Sequence, residues 1–204
     1  MSVKADKAEG RTPSRSMTLA NQLTMARFAM ALAMFAALMQ PQAAAHLLAF
    51  FLFLAAIITD WIDGYVARRT NSVSAFGKVA DPIADKILVI GALIGLSRAH
   101  TGIPLWGVFL IIARELLMGG VRVLTISQQG SILSAQRWGK ISMVVQSCAV
   151  LAMVGVLAAR ERWILPHWAH RLPYPLTVLC VLMSWSSAYI YISQSRKMLE
   201  KSWG

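Results

Sequence analysis

Apolar residues run along this chain in six long blocks, roughly 22–41, 46–69, 80–98, 103–128, 139–159 and 173–195. Each is close to the 20 or so residues that a helix needs to cross a bilayer at about 1.5 Å rise per residue. The breaks between blocks carry fitting punctuation. Pro41 follows the first, Asn71 to Gly77 is small and polar, and Gly102-Ile103-Pro104 opens the fourth. Gln128-Gln129-Gly130-Ser131 closes that block, and Pro166, Pro173 and Pro175 precede the sixth. No stretch alternates with a period of two, so a β-barrel is not expected. The pattern predicts an all-α polytopic membrane protein: six transmembrane helices within 17–204, after a basic polar segment over 1–16.

Composition sharpens this picture. The chain is 57% apolar and 14% charged, and 20 Lys and Arg against 9 Asp and Glu leave a net charge of +11. That excludes a disordered chain and is too apolar for an ordinary soluble domain. Cys148 and Cys180 are too few for a disulfide framework or a zinc site. The four histidines show no metal spacing within a helix, and His167-x2-His170 reads as an interfacial segment. With residue 1 in the cytoplasm, the outer connections hold only Arg98, Arg160, Arg162 and Arg171 of the 20 basic residues. The positive-inside rule then puts both termini in the cytoplasm, with the charge facing an anionic membrane surface and not nucleic acid. Basic residues, an apolar run and Gln42-Ala43-Ala44-Ala45 also resemble a cleavable signal peptide. The run is long for one, so the first helix is expected to stay.

The acids carry the candidate chemistry. Five of the nine, Asp60, Asp63, Asp81, Asp85 and Glu115, lie in segments that otherwise read as membrane. An ionised carboxylate there is costly unless paired, hydrated or bound to a cation. Asp60 and Asp63 are spaced i, i+3 near the end of the second helix. Asp81 and Asp85 are spaced i, i+4 near the start of the third, so each pair shares a face. Helices joined by a short loop are expected to pack as neighbours, which would let four carboxylates converge on one cytoplasm-facing pocket. Four negative charges repel unless divalent cations lie between them, and oxygen ligands without Cys or His favour Mg²⁺ or Mn²⁺. The same spacing also suits bridges to Arg68, Arg69 and Lys86. Small residues at Gly64, Ala67 and Gly77 and the planar fork of Arg68 would fit a diphosphate approaching the backbone.

Written out, the segment is Asp60-x2-Asp63-Gly64-x2-Ala67-Arg68-x8-Gly77-x3-Asp81-x3-Asp85. It resembles, at all eight positions, the signature of the CDP-alcohol phosphatidyltransferase family. The resemblance implies a six-helix membrane enzyme, usually a homodimer, that binds two divalent cations, Mg²⁺ or Mn²⁺. It maps Asp60, Asp63, Asp81 and Asp85 to the metals and Asp85 to the general base. CDP-diacylglycerol binding falls to Asp60, Gly64, Ala67, Arg68 and Gly77, with Asn21 and Thr24. Asn21-x2-Thr24-x2-Arg27 and Ala113-Arg114-Glu115 with Arg122 are similar to the branch whose acceptor is glycerol 3-phosphate. The implied reaction is phosphatidyl transfer with release of CMP at the cytoplasmic face of a bacterial inner membrane. Two alternatives stay open: phosphatidylglycerol as the acceptor, giving cardiolipin, and an intramembrane cation transporter.

An acceptor bearing its own phosphate needs cations. Glu115, Gly119 and Arg122 fall at i, i+4, i+7, and Lys140, Met143 and Ser147 form a second stripe. Arg114, Arg122 and Lys140 are the candidate acceptor-phosphate ligands; lipid-headgroup contacts or a Glu115–Arg122 bridge would equally occupy such residues. No glycine-rich nucleotide loop appears, so ATP is not expected.

Overall fold

The computed structural model describes residues 19–70, 75–127, 133–160 and 165–203, with side chains over 22–61, 83–121, 138–160 and 165–193. The described residues are helical with no strand. The elements are α1 (Leu19–Leu38), α2 (Ala43–Thr70), α3 (Ala75–Arg98), α4 (Leu105–Ser127), α5 (Leu133–Arg160), the short α6 (His167–Arg171) and α7 (Pro173–Trp203). The six apolar blocks thus reappear as six long helices, and the His167–His170 segment as a single turn or so between α5 and α7.

Their ends follow the punctuation. After α3 the chain turns through His100 and Gly102, both with positive φ (51° and 82°), a conformation that glycine adopts freely. The Thr101 hydroxyl donates to the Leu96 carbonyl at 2.8 Å, satisfying an acceptor that the helix leaves open. Pro104 then starts α4, its carbonyl accepting from the amides of Gly107 and Val108. Pro173 opens α7, where a missing N–H costs nothing.

Ala43–Trp61, Trp138–Arg160 and His167–Ser193 are long and apolar enough to cross a membrane, and Gln22–Leu38 is a shorter apolar helix. The core holds Met34 of α1, Phe53 of α2, Leu93 and Leu96 of α3, Ile111 of α4 and Met153 of α5. Large apolar side chains also cover the outside, Leu105, Phe109, Leu116, Trp61 and Tyr189 among them. An exterior of that kind fits a lipid solvent and not water.

One packing expectation is corrected. Among the described residues α2 and α3 do not pack along each other; α1 packs along both, and α5 packs on both. A short connection fixes where two helix ends lie, not which flanks touch. Small residues let α1 into that position. A Cβ on Gly95 of α3 would sit 2.7 Å from Leu38 of α1, and Ala31 and Ala37 of α1 are buried.

Candidate active site

Because α1 runs along both α2 and α3, its inward face decides what their carboxylates meet. Thr24 and Arg27 stand one turn apart on that face, and Arg27 is 1% exposed. Its Nη1 lies 3.0 Å from Asp60 Oδ1 of α2 and 3.2 Å from Asp85 Oδ1 of α3. One guanidinium nitrogen therefore joins two aspartates from two helices. Small neighbours permit this approach: Ala56, one turn before Asp60, and Ala84, beside Asp85, are both buried. The Asp60 side chain keeps 53% of its surface exposed, so an incoming ligand can reach it.

Of the four aspartates expected to converge, Asp60 and Asp85 do so. Asp63 lies on α2 and Asp81 on α3, but their side chains fall outside the described residues. The same holds for Asn21, Arg68 and Arg122, for the surroundings of Gly64, Ala67 and Gly77, and for residues 1–16. The bridges to Arg68 or Arg69 that the spacing allowed lie outside the described residues; Lys86 pairs with Glu115, at 3.7 Å.

Asp60 and Asp85 line a cavity of about 400 Å³ between α2, α3, α4 and α5. Trp61, Leu88, Val89, Met143 and Val144 give it apolar walls, while Lys86, Glu115, Gln146 and Ser147 add polar groups. An apolar slot with polar groups gathered at a carboxylate pair suits an amphiphile with a charged head. Among the described residues no group of three possible metal ligands gathers here; Asp60 and Asp85 offer two hard carboxylates, and the point they share is held by Arg27.

The expected acceptor-phosphate ligands divide. Arg114 is buried and faces α7: Nε donates to the Ser184 carbonyl at 3.1 Å and Nη2 to Ser187 Oγ at 3.3 Å. Its Nη1 pairs with Glu115 Oε1. The side chain is thus occupied by protein groups and is absent from the cavity lining, which differs from the expectation. Lys140 is exposed and also absent from the lining, although Met143 and Ser147 of its stripe are there. Thr24 is buried beside Arg27. The sequence named Arg27 within Asn21-x2-Thr24-x2-Arg27 but gave it no role at the site, since a basic residue near a helix end counts first toward topology.

A carboxylate pair from two helices, on the wall of an apolar slot in an all-helical bundle, is the described site. The sequence model of the CDP-alcohol phosphatidyltransferase family matches residues 17–184, and the chain belongs to that family. It is 35% identical over 161 residues to the CDP-diacylglycerol–glycerol-3-phosphate 3-phosphatidyltransferase of Bacillus subtilis, covering 78% of this chain and 75% of that one. It is 38% identical over 141 residues to a probable phosphatidylglycerophosphate synthase of Mycobacterium tuberculosis, covering 67% and 66%. A chloroplastic/mitochondrial enzyme of Arabidopsis thaliana with the Bacillus enzyme's activity in its name is 35% identical over 162 residues; there the match spans 53% of the relative.

Proposed function

We infer that the chain transfers the phosphatidyl group of CDP-diacylglycerol to sn-glycerol 3-phosphate, giving phosphatidylglycerophosphate and CMP in phospholipid biosynthesis. The observation that carries this reading is the meeting of Asp60 and Asp85 on a cavity with apolar walls, in a chain whose relatives bear that activity in their names.

In the reaction the acceptor's primary hydroxyl attacks the β-phosphorus of the donor. Its oxygen forms the new P–O bond, its proton passes to the Asp85 carboxylate, and the bond to the bridging oxygen breaks as CMP departs. Asp60, Asp63, Asp81 and Asp85 would hold two divalent cations, Mg²⁺ or Mn²⁺, which when bound polarise phosphorus and stabilise the leaving CMP. Gly64, Ala67, Arg68 and Gly77, with Asn21 and Thr24, would hold the CDP group. The enclosing walls keep hydroxyl and phosphorus together, so the step is effectively unimolecular. The bundle would cross a bacterial inner membrane six times as a homodimer, both termini and the site's mouth on the cytoplasmic side.

Purified protein supplied with CDP-diacylglycerol, Mn²⁺ and labelled glycerol 3-phosphate is expected to release CMP and move label into phosphatidylglycerophosphate. Turnover with phosphatidylglycerol in place of glycerol 3-phosphate would instead make it a cardiolipin synthase. Asp85→Asn is expected to lower turnover at least a hundredfold, the usual worth of a general base. Turnover at the wild-type rate would remove Asp85 from that role.

A further inference from the structure

Four arginines belong to the connections at the end of the bundle away from the aspartates: Arg98, Arg160, Arg162 and Arg171. Two of them tie that end together. Arg98 donates to Met39 Sδ at 3.1 Å, and Arg160 to the Ala99 carbonyl at 3.4 Å. Arg162 falls outside the described residues. Arg171, the last residue of α6, is exposed and has no hydrogen-bond or ion-pair partner among the described residues. It lines a cavity of about 440 Å³ together with His170, Tyr174, Pro175 and, from the turn between α3 and α4, Gly102.

This cavity is remote from the active site. From Asp85 to the end of α3 at Arg98 the helix rises about 20 Å, and Gly102 lies beyond that end. Its lining offers donors, and no carboxylate among the described residues. The planar guanidinium matches phosphate oxygens two at a time. The Tyr174 hydroxyl and a His170 ring N–H add single donors, and neither side chain has a partner among the described residues. Gly102 takes a φ of 82°, and a Cβ there would meet nothing within 4 Å, so that wall stays open. The helices leading away, α4 and α7, carry exposed Leu105, Phe109 and Leu182 within their first turns. An anion with apolar tails uses both features, whereas a free anion uses only the first.

We propose that this cavity binds the phosphodiester head of an anionic phospholipid in the leaflet opposite the aspartates, with Arg171 and Tyr174 as its principal donors. The site is separate from the transfer reaction and requires only that the bundle stand in a bilayer. The Arg171 guanidinium and the Tyr174 hydroxyl donate to the phosphate oxygens, and the acyl chains lie along α4 and α7. Basic pockets at the ends of membrane helices take anionic heads in this way. Because Gly102 belongs to one connection and Arg171 to another, a lipid seated between them fastens the α3–α4 turn to the start of α7.

The test titrates dioleoyl phosphatidylglycerol or dioleoyl phosphatidylcholine into the 204-residue chain in detergent micelles, with native mass spectrometry reading the affinity of the tightest lipid. Wild type is expected to bind phosphatidylglycerol about tenfold more tightly than phosphatidylcholine and to melt at a higher temperature with it bound. Arg171→Gln is expected to lose about tenfold in affinity for phosphatidylglycerol, and Tyr174→Phe about threefold; Arg171→Lys keeps part of the preference. Both side chains are exposed, so the lipid-free melts of these variants should match wild type. Arg98→Gln removes the same charge from the same end and should leave the affinity within about twofold, since screening limits a charge outside the cavity. An equal loss in Arg98→Gln would assign the preference to the general positive field of that end and overturn the proposal. An Arg171→Gln variant that binds phosphatidylglycerol as tightly as wild type would put the lipid elsewhere and overturn it too. Excess inorganic phosphate is expected to leave the lipid in place, because it cannot replace the acyl chains. Displacement by phosphate would give the cavity to a free anion and refute the lipid as its ligand.

Discussion

Arg27 occupies the place where two negative charges from different helices would otherwise face each other. Its guanidinium is buried, and one nitrogen serves both Asp60 and Asp85. Removing one member of a buried ion pair costs about 3–5 kcal/mol. The exposed Asp60 carboxylate is solvated, so about 2 kcal/mol is the better expectation here. Arg27→Met should therefore lower the thermal midpoint measured in EDTA by several degrees, at roughly 2–4 °C per kcal/mol for a chain this size. Mn²⁺ should recover most of the loss by supplying the missing positive charge. A midpoint in EDTA equal to wild type would mean that the aspartates do not depend on Arg27. This residue also marks a limit of reading by sequence. The aspartates announce themselves, because a carboxylate in an apolar segment demands a partner. Which cation answers is a matter of three-dimensional packing, and Arg27 is 33 and 58 positions away along the chain from its two partners. Arg114 shows the same limit, since its described partners are Ser184 and Ser187 of α7 and the adjacent Glu115. It adjoins Glu115, but neighbours on a helix are turned about 100° apart, and Arg114 points at α7 while Glu115 lines the cavity.

At the scale of elements, close helix contacts hold the site's frame. A Cβ on Gly107 of α4 would lie 2.6 Å from Thr177 Cγ2 of α7. Thr177 is fully buried, branched at Cβ and tied through its hydroxyl to the Pro173 carbonyl at 2.8 Å, so it cannot swing aside. Gly107→Ala should cost about 1–3 kcal/mol from overpacking, despite alanine's better helix propensity. Gly120→Ala on the same helix meets nothing within 4 Å and should be neutral or slightly stabilising. Thermal melts of the two variants side by side check this; equal midpoints would contradict the α4–α7 contact. Helix existence was legible in advance because apolar blocks and proline or glycine breaks act locally. Helix partnership was not. The insertion of α1 beside both α2 and α3 depends on small residues, Gly95, Ala31 and Ala37, matched across helices.

Taken whole, the molecule puts apolar side chains both inside and outside and lines one slot with Asp60, Asp85, Lys86 and Glu115. Leu88, Val89, Met143 and Val144 give that slot apolar walls beside Asp60 and Asp85, which suits the lipid substrate inferred above. Of the eight signature positions, Asp60 and Asp85 have described side chains, and these two meet at Arg27 on one cavity. For the acceptor side the sequence offered two helical stripes, and of these Glu115, Met143 and Ser147 line the cavity. The central claim is that aspartates of α2 and α3 together form a cage for paired divalent cations. Counting Mn²⁺ bound per chain by electron paramagnetic resonance, with CDP-diacylglycerol present, tests it most directly. The account predicts two ions per wild-type chain, with Asp60→Asn and Asp85→Asn each losing occupancy. Wild type that binds no Mn²⁺ above background, or variants that bind as much as wild type, would contradict it.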